Sequence, residues 1–222
     1  SANSWLSKSM AIRLASRGAR FLLRTTILKI DEDRREIYRM VRQGISVDSL
    51  ARRFGRSRNS IYRIAAETRA EILLELPIEF MHSDEFPVAG VEAEILGVPP
   101  ENPKARLTKA PPGLQAYLAA LYQLPILTRE QEQYHFRKMN FLAWQAAEAR
   151  QELLLRRPTG RAGRVAMDRV EAVLEESVAV KNFLIRSNLR LVVSIAKRHL
   201  RPGMNFFEMV SDGSLPLIRA IE

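Results

Sequence analysis

The chain has 222 residues, no cysteine and a formal charge of +10. That length allows one or two domains with a real core, and the missing thiols exclude disulfides and thiolate metal sites. The absence of cysteine fits a reducing, cytoplasmic setting, and the basic excess points to a polyanion partner, nucleic acid before any other.

No run approaches the ~20 apolar residues needed to span a bilayer, so no membrane partner is expected. His82, His135 and His199 are scattered. No glycine-rich phosphate loop, nucleophile elbow or HExxH pattern occurs. No catalytic residue, cofactor, metal site or small-molecule substrate is therefore read from the sequence, and the chain is not read as an enzyme. Strand-like alternation is scarce among residues rich in Leu, Ala, Arg and Glu, which predicts an all-α protein.

Residues 1–30 form a basic N-terminal arm with no acid before Asp31. Lys8, Arg13, Arg17, Arg20 and Arg24 alternate with Trp5, Leu6, Ile12, Leu14, Phe21 and Leu22. A transit peptide has this composition. A loose arm touching DNA, or a translation start placed too far upstream, is the preferred reading. The charge is concentrated early: residues 1–75 hold 16 Lys and Arg against 8 Asp and Glu.

Residues 31–75 are predicted to be a helix-turn-helix module. Short helices are expected over Glu36–Arg42, Asp48–Phe54 and Ser57–Ala66. Gly44 and Gly55 close the first two. Leu50, Ala51, Phe54, Gly55, Ile61 and Ile64 are spaced as such a module requires: a small residue where helices cross, a glycine in the turn, isoleucines anchoring the third helix. The outer face then offers Arg58, Asn59, Tyr62 and Arg63. Arginine can take guanine bidentately and asparagine can take adenine, while Arg56, Ser57 and Ser60 can hold phosphates. The segment resembles the helix-turn-helix of resolvase-like and invertase-like regulators, with Arg56 at a usually apolar position. A protein-binding three-helix unit is the alternative.

Residues 76–113 are read as a Pro-rich acidic linker. Eight of the eleven prolines fall between Pro77 and Pro125, a density that prevents long helices. Asp84, Glu85, Glu92, Glu94 and Glu101 could rest on the basic N-terminal face and mask it. The short run Leu76 to Phe80 could dock onto the preceding helix.

Residues 114–222 read as one helical domain, incomplete at its C-terminal end. Two short helices meet at Leu124-Pro125, and Thr128 with Gln131 forms a capping-box pair. A helical stretch follows over 136–176, broken by the arginine-rich run from Arg156 to Arg164, which is read as an exposed loop in preference to a phosphate-binding one. Ile185, Leu189, Val192 and Ala196 then repeat at helical spacing. That helix should stop near Pro202-Gly203, and Asn205 and Glu208 should open the last one. Pro216 would cost roughly 3 kcal/mol inside a regular helix. Either the helix kinks there, or Ser214 caps a fresh helix.

Asn188 to Lys197, reading Asn-Leu-Arg-Leu-Val-Val-Ser-Ile-Ala-Lys, resembles conserved region 2.1 of the sigma-70 family, the promoter-specificity subunits of bacterial RNA polymerase. Phe206 to Glu222 resembles region 2.2, with Ser211, Ser214 and Pro216 departing from the usual pattern. Tyr117 to Glu132 resembles region 1.2, with Ala119 departing.

The resemblance covers roughly residues 114–222. It implies that the last helix binds the clamp helices of the largest subunit of core RNA polymerase. Phe207, Glu208, Ser211, Asp212, Ser214 and Ile218 stand at the contact positions. It also implies that Tyr117 and Leu118 lie near double-stranded promoter DNA. It stops short of the segment that melts promoter DNA, so a fragment or a short natural competitor is expected. The reading is a sigma factor for transcription initiation with an added helix-turn-helix. The alternative is a helix-turn-helix repressor whose C-terminal helices dimerise.

Overall fold

The computed structural model describes residues 32–102, 110, 116–124, 126–156 and 160–222. The basic arm over 1–30 and residues 157–159 of the arginine-rich run lie outside them, and the rest of that run, expected as an exposed loop, is helical. Among the described residues the regular structure is entirely helical. In chain order it comprises α1 (Glu32–Arg42), α2 (Val47–Phe54), α3 (Arg58–Glu75), α4 (Val91–Ile95), α5 (Ala116–Ala120), a 3₁₀ turn (Leu121–Gln123), α6 (Arg129–Arg156), α7 (Gly160–His199) and α8 (Phe206–Ile221). The all-α reading holds.

The chain divides into two compact units. One is built from the described part of Ser16–Ile78 with Gln145–Leu174. The other is built from Glu79–Trp144 with Glu175–Glu222. The long helices α6 and α7 contribute residues to each.

In the first unit, Ile37, Leu50, Ile61 and Ile64 form the core of α1 to α3. Gly44 and Gly55 both take positive φ, +81° and +60°, where a Cβ would strain the backbone. Ser46 and Ser57 cap α2 and α3 by accepting from the Ser49 and Ser60 amides, as Ser does at an N-cap. Helix α3 runs nine residues past its expected end at Ala66. Its second half packs Leu73 against Ala149, Leu153, Met167 and Val170. Such packing, which local propensity does not reveal, stabilises the extra turns.

Ion pairs frame that junction. Arg69 reaches Asp168 at 2.6 Å and Glu171 at 2.9 Å, and Arg42 also meets Glu171. Arg34 ties α1 to Glu67 and Glu71. The Arg150 guanidinium donates to the Leu76 carbonyl. Burial pushes the Tyr38 hydroxyl above its ordinary pKa, opposed by Arg42.

In the second unit, the stretch expected as a linker is packed through residue 102. Phe86 and Ile95 are buried with Phe141, and Phe86 also stacks on Trp144. Arg137 grips Glu85 with two hydrogen bonds of 2.8 Å and Glu94 with one of 2.6 Å. This fork geometry is strong for a guanidinium and carboxylate. It holds the Glu85 carboxyl below the usual carboxylate range. These two acids are therefore engaged inside their own unit. The prolines limit helix length, as α4 shows with five residues, but they do not prevent burial of the apolar residues between them.

The capping pair at the start of α6 forms as expected. Gln131 donates its amide to Thr128 Oγ1, and Thr128 donates its amide to Gln131 Oε1. Helix α7 is one continuous element of 40 residues, where the sequence suggested separate helices. Lys197, Arg198 and His199 in its last turn suit the negative end of the helix dipole. Leu118, Leu121, Val193, Ala196 and Val210 share one core cluster, and Met139, Leu184, Ile185, Ile218 and Ile221 share another. Where α8 crosses α7, a Cβ on Gly213 would come within 2.8 Å of Val192 Cγ1. The bare glycine permits that approach.

Candidate nucleic-acid interface and acidic helix face

The helix-turn-helix presents Arg56, Ser57, Arg58, Asn59, Tyr62 and Arg63 as exposed residues. Arg58, Asn59, Tyr62 and Arg63 fall at i, i+1, i+4 and i+5 of α3, so they share one face. Ile61 and Ile64, on the opposite side, hold α3 to the core. Tyr62 leaves 55% of its surface open. The Ser57 hydroxyl oxygen already accepts from Ser60 at the cap, so only its own hydrogen remains to reach a phosphate.

The arginines of this face differ in their surroundings. Arg58 Nε stands 3.2 Å from Asp48 Oδ1, and Arg63 stands 3.6 Å from Glu67. Arg53 is held by Glu36 at 2.7 Å. Arg52 and Arg56 are exposed. Neither enters an ion pair with the described residues. The acids at Asp48 and Glu67 carry no signal in a motif reading. Asp48 could have been found from its place in the first turn of α2, beside the start of α3.

Region 1.2 of the resemblance fares differently. Leu118 is 2% exposed and packs in the core with Leu121 and Val193. It is therefore corrected from a DNA contact to a core residue: its apolar side chain gains more from burial than a hydrated duplex edge could return. The Tyr117 side chain lies outside the described residues. Arg190 lies under this segment, donating to the Leu124 carbonyl at 3.0 Å and stacking on Tyr122 at 4.6 Å.

The second surface is on α8. Asn205 caps it by accepting from the Phe207 amide, and its side-chain amide also donates to Glu208 Oε1 at 3.3 Å. Glu208, Ser211 and Asp212 are exposed and lie within one turn of each other, with Leu215 next along the same face. Phe207 is half-buried beside Phe206. Ser214 and Ile218 point the other way. Ser214 is 4% exposed and donates its hydroxyl to the Val210 carbonyl at 2.6 Å, and Ile218 sits in the core. Both are corrected from contact residues to interior ones, because the helical period that exposes 208, 211 and 212 turns 214 and 218 inward.

Ser214 also does not cap a fresh helix, since α8 is continuous through Pro216. Asp212 and Pro216 are both exposed, so water can satisfy the carbonyl that the missing Pro216 amide leaves open.

Among the described residues no group of three or more acids and histidines is placed to hold a metal ion, and no helix is long and apolar enough to cross a membrane.

Comparison with known proteins gives one domain family and several relatives. A helix-turn-helix domain family matches residues 31–64. The RNA polymerase sigma factor SigA4 of Synechococcus elongatus is 31% identical over 106 residues, covering 48% of this chain and 30% of that protein. The RNA polymerase principal sigma factor HrdC of Streptomyces coelicolor is 36% identical over 114 residues, 49% of this chain and 31% of that protein. The RNA polymerase sigma-B factor of a Nostoc species is 32% identical over 112 residues, 48% of this chain and 34% of that protein. About half of the chain is thus homologous to sigma factors, and the chain spans about a third of the length of these relatives. No solved structure matches it.

Proposed function

We propose that this chain is a sigma-type transcription initiation factor that acts in the cytoplasm. It binds core RNA polymerase through the exposed face of α8 and contacts duplex DNA through the helix-turn-helix. The observation that carries the reading is the homology of about half the chain to several sigma factors, joined to the exposure of Glu208 and Asp212 on one face. Two carboxylates one turn apart suit basic side chains across an interface, where complementary charge speeds encounter and fixes register. The clamp helices of the largest polymerase subunit are the proposed contact. Phe207, half-buried at the start of α8, supplies an apolar edge beside them.

On the other unit, Arg56, Arg58 and Arg63 supply phosphate and base contacts. Asn59 is the candidate adenine reader. The two surfaces serve different partners, so each can be removed alone.

The test is binding of the full chain to core RNA polymerase, followed by competition with a full-length sigma factor. Saturable binding that the competitor displaces supports the reading. Failure to bind, with duplex binding retained, would transfer the function to the helix-turn-helix and favour a repressor.

A further inference from the structure

Helix α3 opens on a cation without an acid of its own. Its first turn contains no acid, and its first residue is Arg58. A cation at the positive end of the helix dipole is unfavourable by itself. The missing acid comes from the preceding helix. Asp48 lies in the first turn of α2, where the dipole favours its own negative charge. Its Oδ1 stands 3.2 Å from Arg58 Nε, with both side chains more than half exposed, at 60% and 63%. A carboxylate thus stands beside the first residue of α3.

We propose that Asp48 is a specificity-determining residue that acts through Arg58. It is a positioning residue, since it reads no base itself. This rests on the DNA reading of the helix-turn-helix proposed above. A random duplex offers Arg58 a phosphate, which does little more than replace Asp48 and must come close to a carboxylate to do so. Asp48 meets Arg58 at Nε, so the terminal nitrogens can give a guanine edge its two hydrogen bonds in the plane of the guanidinium while the pair is kept. The acid therefore weakens contact with every sequence and weakens it least where the base opposite Arg58 is right. Arg52 and Arg56, which no described acid neutralises, remain as sequence-independent anchors.

The experiment uses the full chain and two probes: a random-sequence duplex for affinity and its salt dependence, and selection from a pool of random duplexes for preference. Asp48→Asn keeps the shape and removes the charge. Affinity for the random duplex should rise roughly two- to five-fold, the span that an exposed ion pair is worth. The consensus should lose information at one base pair. In an Arg58→Ala background the same substitution should leave both readouts unchanged, which a merely structural role for Asp48 would not produce.

An equal rise in both backgrounds would reduce Asp48 to general charge and overturn the proposal. No rise in the wild-type background would overturn it too. If Arg58→Ala weakens duplex binding while Asp48→Asn changes nothing, only the role of Asp48 fails. If the wild type binds no duplex, the DNA reading and the proposal fall together.

Discussion

The helix-turn-helix and helix α8 were both read from sequence as interaction surfaces, yet they meet the structure differently. On α3, Arg58, Asn59, Tyr62 and Arg63 are exposed and Ser60 is half-buried. On α8 the proposed set splits: Glu208, Ser211 and Asp212 are exposed, while Ser214 and Ile218 are interior. The cause is the origin of each set. The exposed α3 residues lie opposite the core isoleucines, so the helical period itself turns them outward. The α8 positions rest on a family resemblance, which fixes where a residue stands but not which way it points.

Several substitutions would break or sharpen that contrast. Largest is Leu50→Ala in the helix-turn-helix core, where a Leu only 1% exposed packs against Ile37 and Ile61. A loss of about 2–5 kcal/mol is expected for a cavity of this kind. Urea unfolding followed by circular dichroism should show it. A loss below 1 kcal/mol would mean that the four-residue core is not what holds α1 to α3.

Arg69→Ala comes next. It removes the pairs to Asp168 and Glu171 around a side chain only 16% exposed. Because Asp168 is largely solvated, about 1–2 kcal/mol is the expected cost. Limited proteolysis should then cut within α3 beyond Ala66. Unchanged protection would show that the apolar contacts of Leu73 suffice alone.

Two serines on α8 give the cleanest internal control. Ser214→Ala removes the bond to the Val210 carbonyl and should cost about 0.5–1.5 kcal/mol, while Ser211→Ala should stay within about 0.5 kcal/mol. Thermal unfolding of the pair reads the difference. Equal effects would contradict the orientation of α8.

The smallest effect is one of pH. His135 is packed against Tyr134 and Phe183, and burial, with Lys138 beside it, lowers its pKa below the ordinary 6.5. The folded state thus takes up this proton less readily than the unfolded chain. Its penalty is absent well above pH 6.5 and grows as pH falls from there through the folded-state pKa. His135→Gln should flatten that part of a stability-against-pH curve. A steeper curve would reverse the assignment.

Much of this architecture was legible because local chemistry and tertiary packing agree. Gly44 and Gly55 mark turns that need positive φ, Thr128 and Gln131 announce the start of α6, and the apolar spacing of Leu50, Ile61 and Ile64 marks a core. Three features were not legible. Helix α3 extends to Glu75 only because residues 145–174 give Leu73 a partner far along the chain. The proline-rich stretch reads as a linker by composition, and only its contacts show Phe86 and Ile95 as anchors. Leu118 occupies a position that the resemblance assigns to DNA, but a leucine with an apolar cluster within reach is buried. At the candidate sites, the exposed arginines and carboxylates were visible in the sequence, whereas Asp48 beside Arg58 is a product of the fold.

The central claim is that the exposed carboxylates of α8 bind core RNA polymerase. The direct measurement is the affinity of the full chain for core polymerase at moderate salt, wild type beside Asp212→Arg. Asp212 is exposed and its described neighbours on α8 leave it open, so the variant should fold normally, as near-identical thermal unfolding would show. A loss of roughly ten-fold or more in affinity, in line with truncating or reversing a charge at an interface, is the predicted result. A correctly folded variant that binds as tightly as the wild type would contradict the account.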